Sequence, residues 1–188
     1  MRLGRSLALD ILVLALALTL FVILSVYQVQ LPGLYYDEAL DAVDWYAIGF
    51  EMRLPSNWNG GYVDQVNGGN DGNVVPAYGN LPGGMPDNAL ARGYAVLSSD
   101  SGHDGQANPQ AGLVGGNLFG FDHQARLDYG YTANVTLTPI AKKIIDGYYG
   151  RRPQRSYMVG CSNGGRHAFV GATRLAKEFD GFLAGAPG

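Results

Sequence analysis

The sequence predicts an α/β fold: a mostly parallel sheet covered by helices on both faces. Three observations predict it. Short apolar runs rich in β-branched and aromatic residues alternate along the chain with stretches of helical spacing. Glycine reaches 28 of 188 residues, about twice its usual share, which implies many tight turns and close backbone approaches. A hydrophobic content of 47% suffices for one real core. The strand, helix, strand order then implies right-handed crossovers between parallel strands.

Taken in order, "WYAIGFEMRLP", Trp45 to Pro55, alternates and ends at a proline, so it reads as a strand. A second strand follows around Tyr62 to Val66 and runs into a glycine and asparagine loop. "PDNALARGYAVLSSDSGHDG" predicts a short helix capped near Asp87, a break at Gly93 and a strand from Tyr94 to Ser98. The glycine-rich span from Gly102 to Gly120 reads as a loop. In "TPIAKKIIDGYYG", Thr138 is a cap, Pro139 suits the first turn, and Ile140, Ile144, Ile145 and Tyr148 form an apolar stripe that stops at Gly150. "RSYMVG" is a buried strand, Gly165 to Phe179 a helix, and "GFLAGAP" a last strand.

The amino terminus is set apart. Arg2 and Arg5 precede an apolar stretch, Leu7 to Val26, of 20 residues interrupted by Asp10. At about 1.5 Å per residue that just spans a bilayer core. Residues 1 to 30 therefore read as a hydrophobic helix serving as a signal peptide or a membrane anchor, with 31 to 188 as the folded domain. The arginine-bearing end stays in the cytoplasm and the rest is exported, either secreted or tethered.

Net charge is −3 and the 13 basic residues are scattered, which excludes an electrostatic footprint for nucleic acid. Cys161, the one cysteine, excludes an internal disulfide and a multi-cysteine metal site. Asp100, His103 and the Asp122-His123 pair are near in sequence but carry no convergent ligand spacing, so no metal is expected. Asn134-Val135-Thr136 is a glycosylation sequon.

Gly160-Cys161-Ser162-Asn163-Gly164 fits G-x-S-x-G, and Ser162 falls between a predicted strand and a predicted helix. That is where an α/β hydrolase turns its chain sharply to lift a nucleophilic hydroxyl above the sheet. Gly160 and Gly164 lie where strand and helix backbones approach. The backbone N–H of Asn163 is then a donor for a tetrahedral oxyanion. A second donor is expected from the loop "QVNGGNDG", with Gly68 and Gly69 as candidates.

The blocks "SYMVGCSNGGRHAF", "EFDGFLAGAP", "LARGYAVLSSDSGHDG", "IAKKIIDGYYGRRP" and "LPSNWNGGYVDQVNGG" resemble the tannase and feruloyl esterase family from about Trp45 to the last residue. The resemblance implies an α/β-hydrolase fold and a serine esterase acting on esters of hydroxylated aromatic acids, feruloyl or galloyl, from tannins or plant polysaccharides. It implies no catalytic cofactor. Ser162 becomes the nucleophile, and Cys161 becomes half of a disulfide to a cysteine beside the catalytic histidine. The family's structural calcium belongs to a lid inserted after the nucleophile half.

The order expected after the nucleophile is an acid and then a histidine. This chain offers His167, Glu178 and Asp180. His167 is carried away within the elbow helix, and Asp180 starts the next strand at the wrong end of the sheet. The acid, the histidine, the second cysteine and the lid have no counterpart, so the chain reads as the front portion of an esterase, inactive alone. Two alternatives share these residues: another exported serine hydrolase, such as a polyester depolymerase or peptidase, and a membrane-tethered, non-catalytic relic or binding protein.

Overall fold

A computed structural model describes residues 48–80 and 87–187. The predicted N-terminal hydrophobic helix, the boundary near residue 30 and the first residues of the Trp45 to Pro55 strand lie outside them. Among the described residues no helix is long and apolar enough to cross a membrane.

Five strands form one sheet: β1 Phe50–Arg53, β2 Gly61–Val66, β3 Ala95–Ser99, β4 Arg155–Cys161 and β5 Gly181–Gly185. Their order is β1-β3-β2-β4-β5, antiparallel between β1 and β3 and parallel elsewhere. The helices are α1 His123–Leu127, α2 Ala133–Tyr149 and α3 Asn163–Arg174; a π-helical turn, Asp128–Thr132, joins α1 to α2.

Topology decides the faces. The step from β2 to β3 moves one way across the sheet, and the steps from β3 to β4 and from β4 to β5 move the other way. Right-handed crossovers therefore send the β2–β3 connection to one face and α2 and α3 to the opposite one. The packing agrees. Tyr62, Val66, Leu97 and Met158 face Leu137, Ala141 and Ile145 of α2 and Ala168 of α3 in the main core. Val63 and Val96 point the other way and are covered by Ala77, Ala89, Leu90 and Tyr94 of the connecting segment. The chain thus leaves β2 toward one face and β4 toward the other, so the carboxyl ends of this adjacent pair mark the topological switch point, where open α/β sheets characteristically bind ligands.

Several elements differ from the sequence expectation. The helix anticipated near Asp87 is a series of turns between Ala89 and Gly93, stabilised by Asn88 accepting from Ala91 N–H and ended by Gly93 at φ 85°. Seven residues offer too few helical hydrogen bonds to repay nucleation. The glycine-rich loop contains 3₁₀ turns over Pro109–Phe121, broken at Gly112 (φ 57°, ψ −133°). α2 begins at Ala133, not at Thr138. Pro139 lies inside it, and Thr138 Oγ1 donates back to the Asn134 carbonyl at 2.7 Å instead of capping. Gly150 does end α2, in the left-handed conformation (φ 69°). α3 stops at Arg174 rather than Phe179. The sequon asparagine, Asn134, is buried in α2 at 5% exposure, so it is not a surface acceptor.

Candidate functional site

Ser162 follows β4 directly and occupies the N-cap position of α3. Its backbone has φ 56° and ψ −119°, a conformation that non-glycine residues rarely adopt and that persists only where surroundings enforce it. The surroundings are glycine. A Cβ on Gly160 would lie 2.6 Å from the Gly164 carbonyl, one on Gly164 would lie 2.2 Å from the Val66 carbonyl oxygen, and one on Gly165 would lie 2.5 Å from the Gly185 carbonyl oxygen. Strand and helix meet at backbone contact, which is why three glycines are needed here. The Ser162 N–H donates to the Gly185 carbonyl at 2.9 Å and ties the turn to β5. The hydroxyl makes no capping hydrogen bond, and Ser162 is exposed.

The loop after β2 passes over this turn. A Cβ on Gly68 would lie 3.5 Å from the Cys161 carbonyl oxygen and 4.0 Å from Ser162 Cβ, whereas one on Gly69 would meet nothing within 4 Å. Of the two glycines singled out in the sequence, Gly68 is thus the one against the elbow. Asn163, at the first position of α3, has no intrahelical acceptor for its N–H, as at every helix start. The loop is held at both ends. Asn67 Nδ2 donates to Ser98 Oγ and to the Ser99 carbonyl, both at 3.0 Å, and Gly72 N–H donates to the Asp100 carbonyl at 3.0 Å.

Beneath the elbow lies a buried polar cluster that the sequence reading missed. The Asp71 carboxylate is fully enclosed; its Oδ2 accepts from Asn163 Nδ2 at 3.0 Å and lies 3.1 Å from His167 Nε2. That imidazole contact is close but is not a hydrogen bond, and His167 Nε2 is buried without a hydrogen-bond partner. Asn163 Oδ1 in turn accepts from the Tyr129 hydroxyl at 2.7 Å, and the Tyr129 ring meets His167 edge-on. The legible signal was spacing: Asn163 and His167 are four residues apart on a helix and so share a face.

The carboxylates of Asp100, Asp180 and Glu178 have protein partners, whereas both ring nitrogens of His103 are buried without a hydrogen bond. Burial raises the Asp100 carboxyl to about 6, although the N–H groups of Gly102 and Gly49 donate to it and favour its charged form. His103 stacks on Phe119 at 3.7 Å, and burial lowers its imidazole below the ordinary value. His123 is exposed beside Arg126. Asp180 accepts from Ser156 N–H and pairs with Arg155 at the far end of the sheet; Glu178 pairs with Lys142. None of the three histidines hydrogen-bonds the Ser162 hydroxyl. Cys161 is a half-buried free thiol. Among the described residues, no group of three or more His, Cys, Asp or Glu side chains is arranged to hold a metal ion.

Comparisons with known proteins bear on the family and the fold. The profile of the family described as "Tannase and feruloyl esterase" matches residues 39–188. The mono(2-hydroxyethyl) terephthalate hydrolase of Piscinibacter sakaiensis is 38% identical over 143 residues, covering 76% of this chain and 24% of that protein. A probable feruloyl esterase B-2 of Aspergillus flavus is 34% identical over 137 residues, covering 73% of this chain and 23% of that protein. In three dimensions, the crystal structure of feruloyl esterase B from Aspergillus oryzae superposes with a TM-score of 0.61 at 26% identity, covering 76% of this chain and 26% of that one. The chain spans about a quarter of the length of the relatives it matches. With its elbow serine and its mostly parallel sheet, the chain belongs to the tannase and feruloyl esterase family.

Proposed function

We propose that this chain carries the nucleophile and the oxyanion site of an exported serine esterase that hydrolyses esters of hydroxylated aromatic acids. The observation that carries the reading is the exposed Ser162 at φ 56°, on a turn joining β4 to α3, with Gly68 against it. Ser162 Oγ attacks the ester carbonyl carbon, and the backbone N–H groups of Asn163 and Gly68 receive the oxyanion, with Gly69 the alternative donor. Losing one such donor typically costs about 10² to 10³ in turnover. Collapse of the intermediate expels the alcohol and leaves an acyl-serine, which water then cleaves.

The serine proton needs a base, and no histidine of this chain reaches Ser162. The acid and base of the triad are therefore assigned to a segment other than residues 48–187, with Cys161 bridged to a cysteine beside that histidine. These 188 residues alone should hydrolyse a feruloyl or galloyl ester no faster than background, since an unactivated serine is a poor nucleophile at neutral pH. A terephthalate-type acyl group is a second reading, favoured by the 38% identity to the terephthalate monoester hydrolase.

The coding sequence beyond position 188 is the first test. An aspartate followed by Cys-His there supports the esterase; a stop codon supports a relic. In a protein that includes the triad, a fluorophosphonate should label this chain, and Ser162→Ala should abolish the label. Labelling that survives the substitution would refute the assignment of Ser162.

A further inference from the structure

We propose that Asp71 is a positioning residue that holds the two oxyanion donors in register, a clamp between the loop carrying Gly68 and the helix start carrying Asn163. The inference rests on the esterase reading and names what preorganises its site.

The two donors come from different elements, separated by more than ninety positions in the chain, and catalysis needs their spacing fixed before charge develops. The loop over residues 67–72 is anchored by Asn67 and Gly72 to the end of β3 and to Asp100, but neither bond reaches α3. Asp71 makes the link. Its Oδ2 accepts from the Asn163 side chain, whose backbone N–H is the proposed donor, and sits 3.1 Å from His167 one turn further along the same helix. The backbone of Asp71 is itself in the left-handed region (φ 54°), and its carboxylate is fully enclosed. Tyr129 completes the arrangement: its hydroxyl donates to Asn163 Oδ1, so both ends of that carboxamide are held and its rotamer is fixed. Asp71, Asn163 and His167 side chains are all nearly or wholly enclosed, so water does not compete for these contacts. A fixed Asn163 side chain fixes the first turn of α3, and with it the direction of the N–H beside Ser162. Asp71 touches no reacting atom; its effect passes through Asn163 and the loop.

The test uses Asp71→Gly, which removes the carboxylate at a φ that glycine adopts freely, and Asp71→Asn, which keeps an acceptor oxygen and tolerates the same φ. In the protein that hydrolyses the ester, Asp71→Gly should lower kcat about 10²-fold with KM within about threefold, the split expected when only transition-state stabilisation is lost. Asp71→Asn should recover most of that loss. Asp71→Gly combined with Asn163→Ala should be no slower than the slower single variant, because both cut the same link. A kcat within threefold of wild type for Asp71→Gly, or losses that multiply in the double variant, overturns the clamp.

A parallel measurement on the 188-residue chain separates the clamp from the esterase reading. Backbone order parameters of residues 67–72 should fall from about 0.85 to below about 0.6 in Asp71→Gly. Unchanged rigidity overturns the clamp even if Ser162 is catalytic. Turnover insensitive to Ser162→Ala overturns the esterase reading while the order parameters still decide the clamp.

Discussion

Asp64 should make the folded protein less stable as pH rises, and replacing it with asparagine should flatten that dependence. Asp64 lies in the central strand β2 at 2% exposure, its Oδ2 has no partner, and two residues away the Tyr62 hydroxyl is equally buried and unpartnered. Burial raises its carboxyl to about 7 from an ordinary 3.8. The sign follows from proton binding. Below about pH 3.8 both folded and unfolded chains hold the proton, and Asp64 adds no ionisation penalty. Between there and pH 7 the unfolded chain loses its proton first, so stability falls by up to about 1.4 kcal/mol per pH unit. Above pH 7 both are ionised and the penalty levels off, at roughly 4 kcal/mol for a shift of about three units. Asp64→Asn cannot ionise. Its carboxamide keeps a polar atom in the unpartnered position, a cost of about 1–3 kcal/mol at every pH, so the absolute offset between the two proteins is less informative than the difference in slope. Urea unfolding followed by far-UV circular dichroism from pH 4 to pH 8 should show the wild type losing roughly 4 kcal/mol more than the variant across that range. The contribution of Asp100, raised in the same sense, is common to both and cancels. Parallel stability curves would refute the assignment of this penalty to Asp64.

Gly164→Ala places a Cβ 2.2 Å from the Val66 carbonyl oxygen and must push α3 from β2; we expect a loss of about 3 kcal/mol and a fall in melting temperature of about 6–12 °C by calorimetry. Gly150→Ala meets no atom within 4 Å but keeps φ 69°, so it should cost about 1 kcal/mol with the fold intact, measurable by the same denaturation. Secretion from a glycosylating host should yield protein without a glycan at Asn134, checked by intact mass, since that side chain is buried within α2.

Much of the site's first layer was legible in the chain. The G-x-S-x-G pattern between a β-branched strand and a helical stretch located Ser162, because a sharp strand-to-helix turn needs small residues on each side and those are visible as letters. Gly150 as the end of α2 and the apolar stripe before it were legible for a similar reason: left-handed caps and helical periodicity are local properties. The start of α2 was not, because Thr138 and Pro139 look like a helix beginning. Upstream residues are drawn into helix by the burial of Ala133 and the packing of Leu137 into the main core, and tertiary burial overrides a local stop signal.

The sequence by itself determined the fold class and the strand-to-helix turn at Ser162, where the nucleophile is proposed, since both depend on residues adjacent in the chain. Only the tertiary structure decided which glycine of the Gly68-Gly69 pair faces the serine. It alone joined Asp71 to Asn163 and His167, and it alone left Asp64 without a partner. These are contacts between segments far apart in the chain, fixed by strand order and crossover hand, and no local pattern encodes which side chains such a topology brings within three ångströms.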